Sequence, residues 1–433
     1  MELETAAQET DVLIVGAGAA GLFCAMNLPE DLDVCIISKK GPEDSDSFLA
    51  QGGISTLKGE EDYECYYEDT MKAGHYENDP AAVSEMIRSS GEIIDELLRV
   101  DVDFERDSRG LNYTREGAHS RNRILHHEDS TGREITSKLL NETLHRDNVR
   151  IFPYTAMLDI VCGAEGCHGA VVRRSGGEVG TISARAVVWA TGGIGGLFES
   201  TTNFEHLTGD AVILSFLHGI ALRDISYIQI HPTTLYSEEK GRRFLISESM
   251  RGEGAVLLDA KGERFVDELL PRDILSAEIM AQMRRDGRKY VMLSAAEMGK
   301  KKLLSHFPSI YDHCLQRGYD LARKPIPVSP AQHYFMGGVS VDLDGRTSMP
   351  RLYAVGETAC NGAHGKNRLA SNSLLEALVF SKRAARAIKG EIAPPSRARM
   401  PLDLGGYGNG EDFLRQYQGI FFSKISRGDA IFL

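Results

Sequence analysis

A stretch near the carboxyl end of the chain combines an arginine with the start of a helix. Residues 364–376 read HGKNRLASNSLLE. Ser373 and Glu376 have the spacing of a capping box, in which each side chain accepts a backbone hydrogen bond from the first helical turn. Helix N-termini carry partial positive charge and bare N–H groups that bind anions, and the Arg368 guanidinium one turn earlier can clamp a carboxylate. The spacing therefore predicts two anion sites side by side.

A glycine loop near the amino terminus predicts a nucleotide site. Residues 11–38 read as a βαβ unit, with the buried strand DVLIV, the loop GAGAAG, an apolar helix and a second strand. In that context GxGxxG is the dinucleotide fingerprint: Gly16 permits a tight turn, Gly18 lets the backbone approach a pyrophosphate, and Gly21 lets the helix pack closely. Together the two segments predict a flavoenzyme that acts on a small dicarboxylate. One anion site suits the negative ring of a reduced flavin, and the other suits the substrate.

Three further segments bear on the nucleotide site. The second strand ends in Ser38 and Lys39, where the fingerprint has an acid for the ribose. Ser38 can still bond a hydroxyl, and Lys39 either lies near the nucleotide or is an ordinary solvated lysine. The segment SDSFLAQGG, residues 45–53, either brings backbone close to a planar group or is a simple glycine turn. A later strand, RLYAVGETA, ends near Glu357 and so places an acid at the edge where open α/β sheets bind ligands.

The composition is ordinary for a globular protein, and 433 residues suffice for two domains or for one domain with a large insertion. The formal net charge of −13 argues against a nucleic-acid or anionic-membrane surface, so an anionic substrate needs a local basic pocket. No apolar run approaches the roughly 20 residues of a membrane helix, and no signal peptide is visible. Seven scattered cysteines without CxxC spacing predict neither a disulfide framework nor a metal site, which favours a reducing cytoplasm.

The chain divides into four predicted parts. Buried-type strands occur near both ends of a middle region that mixes helix and strand and has prolines near its end. We interpret this middle region, residues 225–338, as an inserted lid domain. Residues 1–224 and 339–400 form the two parts of the cofactor-binding domain, and residues 401–433 form a short tail.

Many motifs occur together in one order, among them AQGG, REGAHSRNRILHHEDSTGRE, IQIHPTTLY, SESMRGEGA, LPRDILSAEI, HYFMGGV and NRLASNSLLEAL. Over roughly residues 8–390 the chain resembles the L-aspartate oxidase family of the succinate dehydrogenase and fumarate reductase flavoprotein superfamily. The resemblance implies an α/β fold, with a two-part Rossmann-like FAD-binding domain and an inserted α+β capping domain. The C-terminal helical domain usual in this family is expected to be absent, because the chain ends at Leu433. Respiratory relatives attach FAD through a histidine just before the AQGG turn; this chain has none there, which implies non-covalent FAD.

The resemblance also implies an active site for aspartate, which presents two carboxylates and one ammonium. Arg272, in PRDIL, matches the superfamily's catalytic arginine, which delivers a proton in the fumarate-reducing direction. Its role in amine oxidation stays open, because arginine has a pKa above about 12 and is a poor base. Glu116 matches a glutamate that faces the substrate amine, while Glu248 and Arg251 either pair with each other to hold the lid or act near the substrate. The predicted catalytic residues are Arg272, Glu116 and Arg251; the predicted substrate-binding residues are His231, Ser247, Glu248, His333 and Arg368; the predicted cofactor-binding residues are Gly16, Gly18, Ala19, Ala20, Gly21, Ser38, Lys39, Ser45, Ser47, Ala50, Gln51, Gly52, Gly53, Asp210, Glu357, Ser373 and Leu374; no metal is predicted.

The activity that the resemblance implies is FAD-dependent oxidation of L-aspartate to iminoaspartate by hydride transfer to flavin N5. O2 or fumarate then reoxidises the flavin, and the reaction is the first step of NAD biosynthesis through quinolinate. Expected partners are L-aspartate, O2 or fumarate, and quinolinate synthase for product hand-off, with no nucleic acid or membrane partner and a cytoplasmic location. One alternative is a soluble fumarate reductase or succinate dehydrogenase flavoprotein, which Glu116 and the missing histidine disfavour. The other is a flavin-binding partner or sensor without turnover, which the filled polar positions disfavour.

Overall fold

The computed structural model describes residues 9–108, 110–239 and 241–392, together with the single positions Tyr407 and Gly419. The predicted tail, residues 401–433, therefore lies outside the described residues except at those two positions. In the described part of the chain, each helix is too short or too polar to cross a bilayer.

Twenty strands and eleven α-helices occur in the described residues and are numbered in chain order. The strands are β1 (Glu9–Val15), β2 (Val34–Ile37), β3 (Ile54–Ser55), β4 (Arg106–Asp107), β5 (Gly110–Leu111), β6 (Ile124–Leu125), β7 (Val149–Phe152), β8 (Ala156–Gly163), β9 (Gly166–Arg173), β10 (Val179–Trp189), β11 (Ser200–Thr201), β12 (Leu222–Arg223), β13 (Ile228–Leu235), β14 (Gly241–Arg242), β15 (Val256–Leu258), β16 (Val291–Ser294), β17 (Ile326–Phe335), β18 (Gly338–Ser340), β19 (Leu352–Ala354) and β20 (Ala359–Cys360). The helices are α1 (Ala19–Asn27), α2 (Asp46–Leu49), α3 (Tyr63–Ala73), α4 (Pro80–Arg99), α5 (Thr131–Leu144), α6 (Asp210–His218), α7 (Glu248–Gly252), α8 (Arg272–Asp286), α9 (Lys300–His306), α10 (Pro308–Gln316) and α11 (Asn372–Glu391).

A seven-stranded sheet forms the base of the molecule. Its parallel strands lie in the order β7-β2-β1-β10-β19, and β19 joins from beyond the inserted segment. The first half of β10 instead pairs antiparallel with β9, which pairs with β8 at the edge of the sheet. The parallel strands direct their carboxyl ends to one edge, so the segments after β1, β10 and β19 meet there. The base is thus built from two parts of the chain, as the fold class predicted.

Both faces of this sheet are covered. On one face, Val12 and Ile14 of β1 pack in a core that includes α1, α4 and α11. On the other face, Leu13 and Val15 pack in a core that includes α6. Strands covered on both faces are apolar throughout, which explains why DVLIV shows no polar alternation. The result is the Rossmann-like layer arrangement that the sequence predicts.

A second sheet belongs mainly to the inserted segment. In it β17 pairs antiparallel with β13 and β16, and β15 pairs with β16. Leu275 and Ile279 of α8, with Ile310 of α10, pack on this sheet in a separate core. The insertion is therefore the α+β unit expected of a capping domain. We keep residues 225–338 as its proposed limits, although β11 joins the second sheet from outside that range.

Candidate active site

A cavity of about 310 Å³ opens at the edge where the parallel strands end. Its base is lined by the glycine loop after β1, the turn after β10, the short helical turn Gly356–Thr358 after β19, and the start of α11. Residues of β13, α7 and α8 line it from the inserted segment. The cavity therefore lies at the carboxyl edge of an open α/β sheet, where such folds bind ligands.

The glycine loop makes backbone contacts that a side chain would prevent. Gly16 has a φ of +121°, and a Cβ there would lie 2.0 Å from the carbonyl oxygen of Ala190. A Cβ on Gly21 would lie 2.0 Å from the carbonyl oxygen of Gly16, so α1 packs directly against the loop. The N-cap of α1 is Gly18, which has no side chain, and it lines the cavity. First-turn N–H groups at such a helix end bind phosphate anions.

Lys39 pairs with Asp210 at the nucleotide end of the cavity. Its Nζ lies 2.9 Å from Asp210 Oδ1 and 2.8 Å from Thr208 Oγ1, and both Lys39 and Asp210 line the cavity. Lys39 is therefore held by polar groups of the protein, and its contact with a nucleotide remains a prediction. Ser38 Oγ donates to the carbonyl oxygen of Lys40 at 2.7 Å, so it would bond a ribose hydroxyl as an acceptor.

The turn at residues 45–53 carries buried polar atoms that face the cavity without protein partners. Ser45 Oγ, Asp46 Oδ2 and Gln51 Oε1 have no hydrogen bond to any residue that the structure describes. Buried polar groups in folded proteins are normally hydrogen-bonded, so these atoms fit a polar ligand. With the glycine loop, this wall fits the ring system and the pyrophosphate of FAD.

Two acids that line the cavity have pKa values raised towards neutral pH. Glu357 accepts the Phe335 N–H at 2.9 Å, and burial, with the nearby Asp46 carboxyl, raises the pKa of Glu357 to about 8. Burial also raises the pKa of Asp46 to about 7. A protonated carboxyl can donate as well as accept, which suits the hydroxyl-rich chain of a flavin nucleotide.

The predicted capping box at the start of α11 is wrong. The helix begins at Asn372, one residue before Ser373, because the chain enters it through Ser371 in the left-handed region with a φ of 60°. Ser373 therefore lies inside the first turn, where it cannot cap, and Glu376 accepts a hydrogen bond from Asn361 Nδ2 at 2.5 Å instead. The helix start still lines the cavity, so an anion there would rely on backbone N–H groups.

Arg368 is a buried cation of the cavity wall. Its guanidinium lies over the Tyr334 ring at 4.5 Å, and its Nη1 donates to Ser373 Oγ at 3.1 Å. Its Nε has no hydrogen-bond partner in the described part of the chain. Burial and the neighbouring Arg272 lower the pKa of Arg368 to about 10, which leaves it charged at neutral pH. A buried cation is stable only when paired, so Arg368 fits an anionic ligand.

Arg272 opens α8 and is held by two side chains. Its Nε donates to Glu248 Oε2 at 2.6 Å, and its Nη1 donates to Gln229 Oε1 at 2.8 Å. Burial acts to raise the pKa of Glu248, but the charges of Arg272 and Arg251 hold it below its ordinary value. Glu248 Oε2 also lies 3.7 Å from Arg251 Nη2, but the contact of this oxygen with Arg272 Nε, at 2.6 Å, is shorter. Arg251 itself does not line the cavity, and its Nη1 donates to the carbonyl oxygen of Glu268 at 2.5 Å.

His231 and His333 line the cavity as a pair. Their ring centroids lie 5.1 Å apart with the planes nearly perpendicular. His333 Nδ1 lies 2.7 Å from Thr202 Oγ1, and His231 Nδ1 contacts the backbone of Thr233. His231 Nε2 is buried and has no partner within the described residues. The two rings therefore present polar edges to a ligand.

The protonation of this histidine pair leads to a pH prediction. Burial, with the charge of Arg272 nearby, holds the pKa of both His231 and His333 well below the ordinary value, so both rings are neutral at neutral pH. A histidine cation that was needed for binding would make dicarboxylate affinity fall as pH rises through about 6.5. With neutral rings, we expect no such loss centred near pH 6.5 when succinate affinity is measured by flavin-absorbance titration. A change centred between pH 7 and 8 would instead follow the Asp46 and Glu357 carboxyls, whose pKa values burial raises to about 7 and about 8. A tenfold weakening centred near pH 6.5 would contradict the assignment.

Glu116 is a buried acid held between the base and the inserted segment. Its Oε2 accepts from Ser371 Oγ at 2.6 Å, and its Oε1 accepts from Ser249 Oγ at 2.9 Å. Sequence reasoning missed both serines, and it also missed Gln229. Gln229 lies two positions before His231 on β13 and shares its face, so strand alternation was a signal that could have found it. No comparable signal marks Ser249.

The structure brings most of the predicted residues to one cavity. All of them line it except Arg251 and two residues of the first turn of α1, Ala19 and Gly21. Ser247 lines it as the N-cap of α7, where its Oγ accepts the Ser249 N–H at 3.3 Å. Among the residues that the structure describes, no group of His, Cys, Asp and Glu is placed to hold a metal ion. The individual roles of these residues remain predictions.

Comparison with known proteins agrees with this geometry. The family model described as an FAD binding domain matches residues 11–374. The chain is 49% identical over 383 residues to the L-aspartate oxidase of Clostridium perfringens, covering 88% of this chain and 87% of that one. It is 45% identical over 387 residues to the L-aspartate oxidase of Clostridium acetobutylicum, covering 89% of each. A solved structure of the E. coli quinol fumarate reductase has a TM-score of 0.85 and 28% identity, covering 97% of this chain and 74% of that one.

Fold, cavity and family model together define a flavoprotein oxidoreductase whose cofactor is FAD. The sequence identities of 49% and 45% to two L-aspartate oxidases, over most of each chain, define the family more narrowly. The chain belongs to the L-aspartate oxidase family.

Proposed function

We propose that this chain oxidises L-aspartate to iminoaspartate, with O2 or fumarate as the electron acceptor. One observation carries the proposal: Glu116 is a buried carboxylate in a cavity that also contains Arg272 and Arg368. Two cations and one acid are complementary to a substrate with two carboxylates and one ammonium. Succinate and fumarate have no positive group for Glu116. The names of the relatives support the same substrate.

The binding residues would fix the substrate by both ends. Arg368 and Arg272 each offer a guanidinium to a carboxylate, and His231 and His333 add neutral donors beside them. Glu116 then receives the ammonium. When both carboxylates and the ammonium are held, the α-carbon can adopt only one orientation in the site. Such positioning lowers the barrier of a reaction because the reacting groups are already aligned. When bound, FAD supplies the chemistry by accepting a hydride from that carbon at N5.

A series of proton-bearing groups leads away from the substrate. Arg272 Nε lies 2.6 Å from Glu248 Oε2, and Arg251 Nη2 lies 3.7 Å from the same oxygen. Arginine is protonated at neutral pH, so it can donate a proton or stabilise charge but is a poor base. In the fumarate-reducing direction, Arg272 would donate to carbon and regain its proton through Glu248. In the oxidising direction, it would hold a carboxylate and stabilise developing charge.

The direct test is anaerobic reduction of the bound flavin. L-aspartate should bleach the yellow absorbance of the holoenzyme, whereas D-aspartate should not. Absence of bleaching with L-aspartate would remove the proposal. Restoration of the colour by air in one sample and by fumarate in another would identify the acceptors.

A second candidate is a fumarate reductase or succinate dehydrogenase activity. The similarity to the E. coli quinol fumarate reductase favours it, as does the Arg272–Glu248 pair. The two candidates differ in the bleaching test, because a succinate dehydrogenase should be bleached by succinate and not by L-aspartate.

We also propose that FAD is held without a covalent bond, since residues 45–48 contain no histidine to attach it. Acid precipitation should release all the yellow colour into the supernatant. Colour that stays in the pellet would contradict this and favour the respiratory type.

Removing the Ser249 hydroxyl should weaken recognition of the substrate amine. Ser249→Ala removes one of the two hydroxyl donors that hold Glu116, at a cost of about 1 kcal/mol for one hydrogen bond. We expect KM for L-aspartate to rise about fivefold with kcat nearly unchanged, and KM for fumarate to change less than about twofold. Steady-state kinetics with both substrates measures this split. Ser249→Thr keeps the hydroxyl and serves as the control, and an equal rise in both KM values would show that the serine acts only on general packing.

The place of the reaction in metabolism is a further proposal. Iminoaspartate would be the precursor of quinolinate in the first step of NAD biosynthesis, with quinolinate synthase taking the product. The cytoplasm is the proposed location, which the seven unpaired cysteines support because thiols persist in a reducing compartment.

A further inference from the structure

The β8–β9 hairpin, at the edge of the main sheet, carries two cysteines opposite each other. Cys162 on β8 and Cys167 on β9 are Cα partners in the antiparallel register, between a shift of register after Val161 and the pair that closes the turn. Opposite residues in such a ladder have Cα atoms about 4.5–5.5 Å apart and side chains on one face. Disulfides span Cα separations of roughly 4.4–6.8 Å, so this pair is placed to form one. Both residues pack in the apolar cluster that contains α6.

A histidine connects Cys162 to a mostly buried acid. Cys162 Sγ lies 3.7 Å from His218 Nδ1, and His218 Nε2 lies 2.5 Å from Asp159 Oδ1. Because a carboxylate can only accept, Nε2 carries the proton and Nδ1 turns its lone pair to the thiol. Tyr407 OH donates to the other Asp159 oxygen at 2.7 Å and fixes the carboxylate. The result is a thiol, a base and an orienting acid in series.

These residues lie outside the active-site cavity, and the proposed function does not use them. We propose that Cys162 and Cys167 form a peroxide-reactive dithiol site, with His218 as the base that activates Cys162. Asp159 is the positioning residue that fixes the histidine tautomer. The oxidant is a hydroperoxide, of which hydrogen peroxide is the smallest.

The chemistry balances in two steps. In the first, His218 takes the proton of Cys162, the sulfur attacks one peroxide oxygen, and the O–O bond breaks. The departing hydroxide takes the proton from His218 and leaves as water, while Cys162 becomes a sulfenic acid. In the second, the Cys167 thiol attacks that sulfur and a second water leaves. Two thiols have then lost two electrons and two protons to one peroxide, which yields a disulfide and two waters.

When the site is reduced, both cysteines are protonated thiols. Burial, with the Asp159 charge, raises the pKa of Cys162, and burial raises the pKa of Cys167 to about 12. The thiolate is the attacking form, so reaction depends on proton removal by His218 rather than on a thiolate that is already present.

The test is to treat the purified holoenzyme with hydrogen peroxide, block remaining thiols under denaturing conditions, and digest with trypsin without reduction. Residues 151–173 form one tryptic peptide that contains both cysteines. We expect this peptide to lose two hydrogen atoms and to resist the blocking reagent. Cys65, the other partly exposed cysteine, is the internal reference. If Cys65 is oxidised while Cys162 and Cys167 both stay reduced, and so both react with the blocking reagent, the proposal is wrong.

Three variants separate the steps. Cys167→Ser should stop the disulfide and leave a sulfenic acid on Cys162 that dimedone traps. His218→Gln should slow oxidation of Cys162 by about tenfold, since the base is gone. An unchanged rate in His218→Gln would overturn the role of the histidine.

Asp159→Asn should slow the oxidation of Cys162 less than His218→Gln does, and should shift the pH profile of that oxidation, because the His218 ring loses its fixed tautomer. A wild-type pH profile would overturn the positioning role of Asp159. None of these readouts depends on the oxidation of L-aspartate.

Discussion

Replacing Arg272 with methionine is expected to lower kcat/KM for L-aspartate by about a thousandfold, equivalent to roughly 4 kcal/mol of lost transition-state stabilisation. Methionine keeps an unbranched side chain that reaches about as far as Arg Nε but removes the guanidinium and its charge. A substrate carboxylate then loses its cation, and buried Glu248 loses the 2.6 Å bond from Arg272 Nε. Fumarate reduction should fall at least as far, because the same arginine would be its proton donor. Steady-state kinetics in both directions measures the loss.

The control for this variant lies on the same helix. Arg284, near the far end of α8, is exposed, so Arg284→Met applies the same chemical change away from the cavity. We expect its kcat/KM to stay within about twofold of wild type, as for most surface substitutions. Arg272 is not among the residues predicted to bind FAD, so a correctly folded Arg272→Met enzyme should still bind the flavin. Normal flavin absorbance would therefore show that the loss of activity is a catalytic defect and not misfolding. An Arg272→Met enzyme that retains more than a tenth of its activity would refute the assignment.

Replacing Glu116 with glutamine is expected to change which substrate the enzyme prefers. The amide keeps the shape of the side chain but removes the charge opposite the substrate ammonium. We expect kcat/KM for L-aspartate to fall about a hundredfold, in keeping with the 2–5 kcal/mol that truncation of a buried charge pair costs. Fumarate reduction should change less than about fivefold, since fumarate offers no cation to this position. The ratio of the two rates is the measured quantity.

A matched control for Glu116 lies in the same loop. Glu128 is exposed, and Glu128→Gln removes a charge twelve positions along the chain without touching the cavity. Both rates should match wild type in that variant. If Glu116→Gln lowers aspartate oxidation and fumarate reduction by the same factor, Glu116 supports the general structure of the site and does not recognise the amine.

The inserted segment contacts the base through bonds that reach the cavity wall. Ser249 bonds to Glu116, and Gln229 Nε2 donates to the carbonyl oxygen of Arg368 at 2.8 Å. Asp129, another cavity residue, accepts N–H groups from the first turn of α10 at 2.8 and 3.2 Å. Residues predicted to bind the substrate therefore also take part in the hydrogen bonds between the inserted segment and the base. If the inserted segment acts as a lid, we expect substrate binding to favour its closed position.

The sequence by itself predicted the fold class and most of the residues that line the cavity. The βαβ unit depends on contacts between neighbours in the chain, so the apolar strand, the glycine spacing and the apolar helix were enough to predict it. The ordered motifs then predicted Arg272, His231, His333 and Arg368 as site residues, and the structure brings all of them to one cavity. These features were predictable because residue type and local spacing carry them.

Only the tertiary structure decided which of these groups touch. The Lys39–Asp210 pair spans 171 positions, and the bonds of Glu116 to Ser249 and Ser371 span 133 and 255. The capping box failed for a related reason: Ser371 adopts a left-handed φ that serine seldom takes, and the surrounding fold imposes it. Local spacing cannot encode a contact between distant segments or a strained backbone angle. Both arise only when the packed sheets and the inserted segment hold those residues against one another.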